Sequence, residues 1–93
     1  MKQGDVITLV SLMGEVIGRL KSQDEHTITV ENPRLFVPDP SGAGNGGLAP
    51  GVSMTGVQDP AASVFNRSAI LTATPTHPEI EKAWIQATSG IIT

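Results

Sequence analysis

Apolar positions in the first third of the chain fall in short runs that predict β-strands. Residues 5–12 are rich in β-branched types and show no helical spacing, which predicts a first strand. Residues 16–23 follow a turn at a glycine and predict a second strand. In residues 26–32, Ile28 and Val30 alternate with polar residues, which is the period of a strand with one buried face.

Two residues mark places where these strands are expected to depart from regular geometry. Gly18 lies inside the second strand, where a glycine indicates a sharp bend or a close backbone approach. Pro33 lacks an N–H group and is expected to interrupt the hydrogen-bond ladder after the third strand. The apolar residues 35–37 then predict that the strand resumes beyond a bend.

The middle of the chain is dominated by glycine and proline. Residues 38–51 contain five Gly and three Pro, which predicts a flexible surface loop, either functional or a mobile insertion. Residues 52–57 predict a short strand, and residues 63–74 form the longest β-favouring run of the second half. An exposed edge of that length promotes aggregation, so a neighbouring copy is expected to pair with it.

The C-terminal segment predicts a helix over residues 77–89. Thr76 and Glu79 match a capping box, with Thr76 as the N-cap, and His77 is expected at the helix start. Gly90 is expected to end the helix. One apolar face is predicted from the spacing of Ile80, Ala83, Trp84 and Ala87.

The amino-acid composition argues against several classes of function. The 93 residues predict one domain, and the net charge of −3 provides no overall basic field for nucleic acid. Aromatic residues are 3% of the chain, too few for modules that stack bases on sheet aromatics. With no Cys, two distant His and no nucleophile motif, we expect neither an enzyme, a metal site nor a cofactor. No signal peptide or membrane span is apparent, so a cytoplasmic protein is expected.

A sequence motif then points to a family. Residues 12–32 read LMGEVIGRLKSQDEHTITVEN, which resembles the first signature motif of the Sm/LSm proteins. Gly18, Leu20 and Asp24 fit its Gly-x-Leu-x-x-x-Asp spacing, and His26 fits the position that follows. The whole chain is also similar to short Sm-like proteins of marine phages, including cyanophages.

The resemblance implies a fold and an activity. It implies a mostly β, small, strongly bent five-stranded Sm-like (SH3-like) barrel, with the C-terminal α-helix, in a closed ring of copies joined through edge strands. It also implies non-enzymatic binding of single-stranded nucleic acid, RNA rather than DNA, in RNA processing or chaperoning, within host cytoplasm for a phage protein. By similarity the binding residues are Asp24, His26, Asn66 and Arg67.

The chain departs from the family pattern at several positions. The family's Met-Asn is absent: without a gap Thr27 and Ile28 occupy its place, and with a one-residue gap Thr27 stands at the Asn. In the family that Asn hydrogen-bonds the base, so a preference for uracil is left open. In the second family motif, Arg-Gly, the glycine is replaced by Ser68 after Arg67. The family's helix usually precedes the first strand, whereas the helix here is predicted at the C-terminus.

Other interpretations of the same residues stay open. His26 can be a solvated turn residue, and Arg67 can pair with Glu31 or Glu81. Arg19 and Lys21 alternate on the second strand and either contact phosphate or form a solvated face. The alternative function is a phage structural, assembly or protein-interaction module with the same fold and no nucleic-acid ligand, which the acidic pI of about 5.1 favours.

Overall fold

The computed structural model describes residues 1–38, 46–52, 55–57 and 60–89 of the protein. These residues form an antiparallel β-structure with one C-terminal helix, which confirms the mostly β class predicted from the sequence. In chain order the elements are β1 Val6–Ser11, β2 Gly14–Gln23, β3 Thr27–Val37, β4 Gly47–Pro50, β5 Ala62–Asn66, a 3₁₀ turn Arg67–Ala69, β6 Ile70–Pro75 and α1 Pro78–Thr88.

The long strand β3 organises the sheet. Along one edge it pairs with β2, and along the other edge it pairs with β5 in its first half and with β4 in its second half. Strand β2 forms a tight hairpin with β1, and β6 pairs with the other edge of β1. This order, β4-β3-β2-β1-β6 with β5 beside β3, gives a small sheet that is bent strongly enough to enclose a core.

The bend lies where β2 meets the middle of β3. The register between the two strands shifts at Gly18, opposite Asn32, which adopts a left-handed conformation with φ of 49°. A Cβ atom at Gly18 would lie 3.0 Å from both the Glu31 carbonyl oxygen and the Val30 Cβ atom. Gly18 therefore marks a close backbone approach, as predicted, and Pro33 sits in the bulge that this approach creates.

The core has two parts because β1 and β2 are covered on both faces. Inside the bent sheet lies an aliphatic cluster, and on the outer face α1 places Trp84, 2% exposed, against Val6 and Ile17. The inner cluster consists of Ile7, Leu9, Val16, Leu20, Ile28 and Val30. Coverage on both faces explains why the buried positions of β1 are consecutive instead of alternating.

The helix packs over the sheet mainly through one residue. Of the predicted apolar face, Trp84 is buried and Ile80 is half-buried, but Ala83 and Ala87 are exposed. These two alanines line a cavity of about 220 Å³ between α1 and β4. Trp84 also donates its indole N–H to the Asn32 carbonyl oxygen at 2.9 Å, which fixes the helix to the bulge of β3.

The predicted capping box is wrong, because Thr76 is buried against the sheet. Its hydroxyl lies 2.9 Å from the hydroxyl of Thr8, so it is not available to cap the helix. The N-cap is His77, whose Nδ1 atom accepts the Glu79 N–H at 3.1 Å. Pro78 occupies the first helical position and has no N–H, which suits that position. The predicted stop at Gly90 lies outside the described residues.

Several predicted strand boundaries also need correction. The third strand continues through Pro33 to Val37, because the bulge accommodates a residue without an N–H. The predicted loop at 38–51 contains β4 in its last part, where residues 47–49 pair with residues 35–37, and its residues 39–45 lie outside the described residues. The described residues among 52–57 form no strand. The run at 63–74 is divided into β5 and β6 by the 3₁₀ turn.

Trp84 is predicted to be the residue on which helix docking depends. Trp84→Ala should lower the free energy of unfolding by about 3–5 kcal/mol, because it leaves a large cavity. Trp84→Phe keeps most of the packing and should lose about 1 kcal/mol for the missing N–H bond to Asn32. Urea unfolding at one fixed protein concentration measures both changes.

Ile85→Ala provides the matched control for this measurement. Ile85 is on the same helix but 42% exposed, so its truncation should cost well under half as much as Trp84→Ala. Equal losses for the two alanine variants would contradict the assignment of Trp84 as the docking residue.

Candidate nucleic-acid interface

The four residues predicted to bind nucleic acid come together at one end of the sheet. Asp24 and His26 lie in the turn between β2 and β3, and Asn66 and Arg67 lie where β5 passes into the 3₁₀ turn. Strands β3 and β5 bring them together, since Thr27 is the register partner of Asn66. The Arg67 N–H then donates to the His26 carbonyl oxygen at 2.8 Å.

Asp24 organises the turn that carries His26. Its Oδ1 atom accepts the backbone N–H groups of His26 and Thr27, each at 2.8 Å, and its Oδ2 atom accepts the Thr27 hydroxyl at 3.1 Å. The two backbone hydrogen bonds hold the pKa of the Asp24 carboxyl below its ordinary value of 3.8. Asp24 thus positions the backbone of the turn, because both of its carboxylate oxygens already accept hydrogen bonds from residues of the turn.

Arg67 is held by an uncharged partner. Its Nη1 atom donates to Gln23 Oε1 at 2.8 Å, so the guanidinium is anchored to the end of β2. This contact replaces the alternative partners considered from the sequence, Glu31 and Glu81. Gln23 was not recognised from the sequence, because its role arises only when β5 and the 3₁₀ turn fold back beside β2.

The His26 and Asn66 side chains are the groups of this cluster that are exposed and accessible to a ligand. Both residues are exposed, and neither side chain makes a hydrogen bond to any other described residue. The imidazole of His26 and the guanidinium of Arg67 are both planar groups that can stack on a base. The carboxamide of Asn66 can both donate and accept a hydrogen bond.

The cations of β2 have different roles. The guanidinium carbon of Arg19 lies 5.3 Å from the ring centroid of Trp84, and its Nη1 atom donates to the Gly4 carbonyl oxygen at 2.7 Å. Arg19 therefore stabilises the docked helix and is not part of the cluster. Lys21 is exposed and lies near the end of β2, in the last residues before the turn that carries His26.

The sheet is open beside this cluster. Strand β5 pairs only with β3, and β6 only with β1, so each has one edge without a strand partner among the described residues. A cavity of about 170 Å³ lies next to Arg67 and reaches the core residue Ile28. Two large apolar side chains on these strands are exposed, Val64 at 66% and Leu71 at 65%.

The described part of the chain lacks the features of a metal site and of a membrane-spanning helix. It contains no group of three or more His, Asp or Glu side chains placed to hold a metal ion. It also contains no helix with the length and apolar character needed to cross a membrane. No model of a known protein family matches this chain, and no curated protein matches it with significant similarity.

The pH dependence of the melting temperature in acid is predicted to show that the ionised Asp24 carboxylate stabilises the fold. Because folding lowers its pKa below 3.8, the ionised carboxylate stabilises the fold above that pH, and this contribution is lost as the pH falls through the folded-state value. Asp24→Ala should therefore lower the melting temperature at neutral pH, and the difference from the wild type should shrink below about pH 3.8.

The neighbouring Glu25 offers the control for this experiment. Glu25→Ala removes an exposed carboxylate of the same turn and should leave the melting temperature nearly unchanged at both pH values. A loss for Asp24→Ala that is as large in acid as at neutral pH would contradict the electrostatic origin of its contribution.

Proposed function

We propose that this protein is a non-enzymatic, single-stranded nucleic-acid-binding subunit that works in a closed ring of identical copies. The observation that carries the proposal is the meeting of His26 and Arg67, forty-one residues apart, on one exposed surface next to open strand edges. RNA is the preferred ligand, in line with the sequence resemblance to the Sm/LSm family.

The chemistry of the surface suits unpaired bases. Stacking on a flat side chain is open to every base, and it requires bases that are not already stacked in a duplex. Gln23 holds the guanidinium of Arg67, so that planar group is positioned before a ligand arrives, and Asp24 fixes the backbone that carries His26. Pre-positioned side chains lose less conformational entropy on binding, which increases affinity.

The two open edges support the ring. An unpaired edge leaves backbone N–H and C=O groups available to another chain, and native proteins usually cover such edges. One edge belongs to β5 and the other to β6, so copies joined β5 to β6 form a head-to-tail contact that closes by rotation. The exposed Val64 and Leu71 side chains would be buried at this contact.

A ring also compensates for the acidic charge of the subunit. The net charge of −3 opposes binding of a polyanion at long range. Because the His26–Arg67 surface lies beside the edges, a ring would place one such surface per copy around a common axis. A single strand that contacts several of them gains avidity without any new type of contact.

Binding of oligo-uridine is predicted to depend on both planar side chains. In fluorescence-anisotropy titrations, His26→Ala and Arg67→Ala should each weaken binding of a labelled oligomer by about fivefold or more, which corresponds to about 1 kcal/mol per lost stacking contact. The wild-type affinity should fall as salt rises, because phosphate contacts release counterions.

Arg19→Ala and a deoxy oligomer serve as comparisons. Arg19 lies on the helix-bearing side, so its removal should leave the affinity unchanged in protein that remains folded. A weaker affinity for oligo-deoxythymidine would support RNA as the ligand. Absence of binding to either oligomer at low salt would overturn the proposal and favour the alternative, a phage structural or protein-interaction module.

Assembly is predicted to fail when either open edge receives a charge. Val64→Glu and Leu71→Glu should each reduce the mass measured by light scattering after gel filtration from that of a ring to that of a monomer, because each buries a carboxylate. Ile85→Glu, on the exposed side of α1, should keep the wild-type mass.

Mixing the two edge variants tests the head-to-tail geometry. Val64→Glu retains an intact β6 edge and Leu71→Glu an intact β5 edge, so an equimolar mixture should form a dimer with one intact contact. A wild-type protein that is monomeric at all accessible concentrations would rule out the ring.

A further inference from the structure

We propose that the tip of the β1–β2 hairpin is a second part of the contact between neighbouring copies in the ring. The tip consists of Leu12 and Met13, whose side chains are 88% and 89% exposed, the highest values among the large apolar side chains of the described residues. This inference rests on the proposed function, because it extends the β5–β6 contact proposed there. The occupant of the tip surface is the neighbouring copy of this chain.

The turn between β1 and β2 is held without these two side chains. Ser11 pairs with Gly14 across the turn, and the Ser11 hydroxyl donates to the Gly14 carbonyl oxygen at 2.9 Å. The Ser11 Oγ atom also accepts the Met13 N–H at 3.2 Å. Two-residue turns between strands favour Asn, Asp and Gly at their central positions. Large apolar side chains at both positions are therefore not explained by the turn itself.

The tip adjoins the open edge of β6. Ser11, the residue before Leu12, pairs with Ile70 at the start of β6. The register shift between Val10 and Ser11 leaves Leu71 as an extra residue of β6 at this point. Leu71 is 65% exposed and belongs to the edge proposed to meet β5 of the neighbouring copy. The apolar tip therefore lies where it can extend that contact.

The edge contact by itself is small for a stable assembly. Strand β5 has five residues and β6 has six, whereas stable interfaces use roughly 20 to 30 residues and about 800 Å² on each partner. The large apolar side chains exposed on these two strands are Val64 and Leu71. Burial of Leu12 and Met13 would raise the number of large apolar side chains in the contact from two to four.

The charge of this region favours a protein partner over a membrane surface or nucleic acid. Residues 6–14 carry no charge, and neither do the residues of β6. Anionic lipid and nucleic acid are both attracted by clustered Lys and Arg side chains, whereas the first charged residue after the tip is Glu15. The partner strand β5 reads ASVFN and is uncharged as well, so it suits an uncharged apolar tip.

The first experiment measures dissociation of the ring on dilution, by light scattering of protein free of nucleic acid. The double variant Leu12→Ser/Met13→Ser should raise the concentration at which half of the protein is monomeric by about tenfold or more, because two apolar side chains lose their burial. Ile85→Ser is the matched control, since Ile85 is an exposed apolar residue of α1, and it should dissociate at the wild-type concentration.

A second measurement reports the burial of the tip directly. The chain has no Cys, so Met13→Cys introduces a single thiol, whose rate of reaction with Ellman's reagent depends on its exposure. The thiol should react severalfold more slowly in the ring than in the same variant carrying Leu71→Glu, which is predicted to be monomeric. Ile85→Cys should react at the same rate in both backgrounds.

The outcomes distinguish this inference from the proposed function. If the wild type forms rings, a double variant that dissociates at the wild-type concentration, or a Met13→Cys thiol that reacts equally fast in both backgrounds, would overturn the role of the tip and leave the ring intact. Binding of the wild type but not of the double variant to vesicles of phosphatidylcholine and phosphatidylserine would assign the tip to a membrane instead. A wild type that is always monomeric would overturn the ring and the role of the tip with it.

Discussion

The bulge at Asn32, opposite Gly18, is the constraint on which the rest of the structure depends. It allows β3 to bend, so that one strand pairs with β5 before the bend and with β4 after it. The Asn32 carbonyl oxygen accepts the Trp84 indole N–H, and the Asn32 N–H donates to the Ala61 carbonyl oxygen. One irregular residue thus sets the curvature of the sheet, the docking of the helix and the entry into β5.

The candidate surface follows from that curvature. Because β3 bends away after Asn32, its first half can pair with β5, and this pairing brings Arg67 beside the turn that holds His26. The hydrogen bonds of Asp24 and Gln23 then fix the backbone of the turn and the guanidinium. The fold therefore sets the positions of the His26 backbone and of the Arg67 guanidinium, and it leaves the imidazole of His26 exposed.

The net charge of the chain limits how the proposed binding of nucleic acid can gain affinity. A chain with a net charge of −3 repels nucleic acid at long range, so in the proposed ring the affinity would have to come from contacts at the surface and from their repetition in the assembly.

The sequence by itself determined the strand-rich class, the C-terminal helix, the close approach at Gly18 and the buried pair Ile28 and Val30, because periodicity and residue type act locally. The tertiary structure alone decided the N-cap at His77, since contact with Thr8 withdraws Thr76 from the helix. It likewise decided β4, the division of residues 63–74 and the Gln23–Arg67 contact, since each depends on segments distant in the chain that meet only after folding.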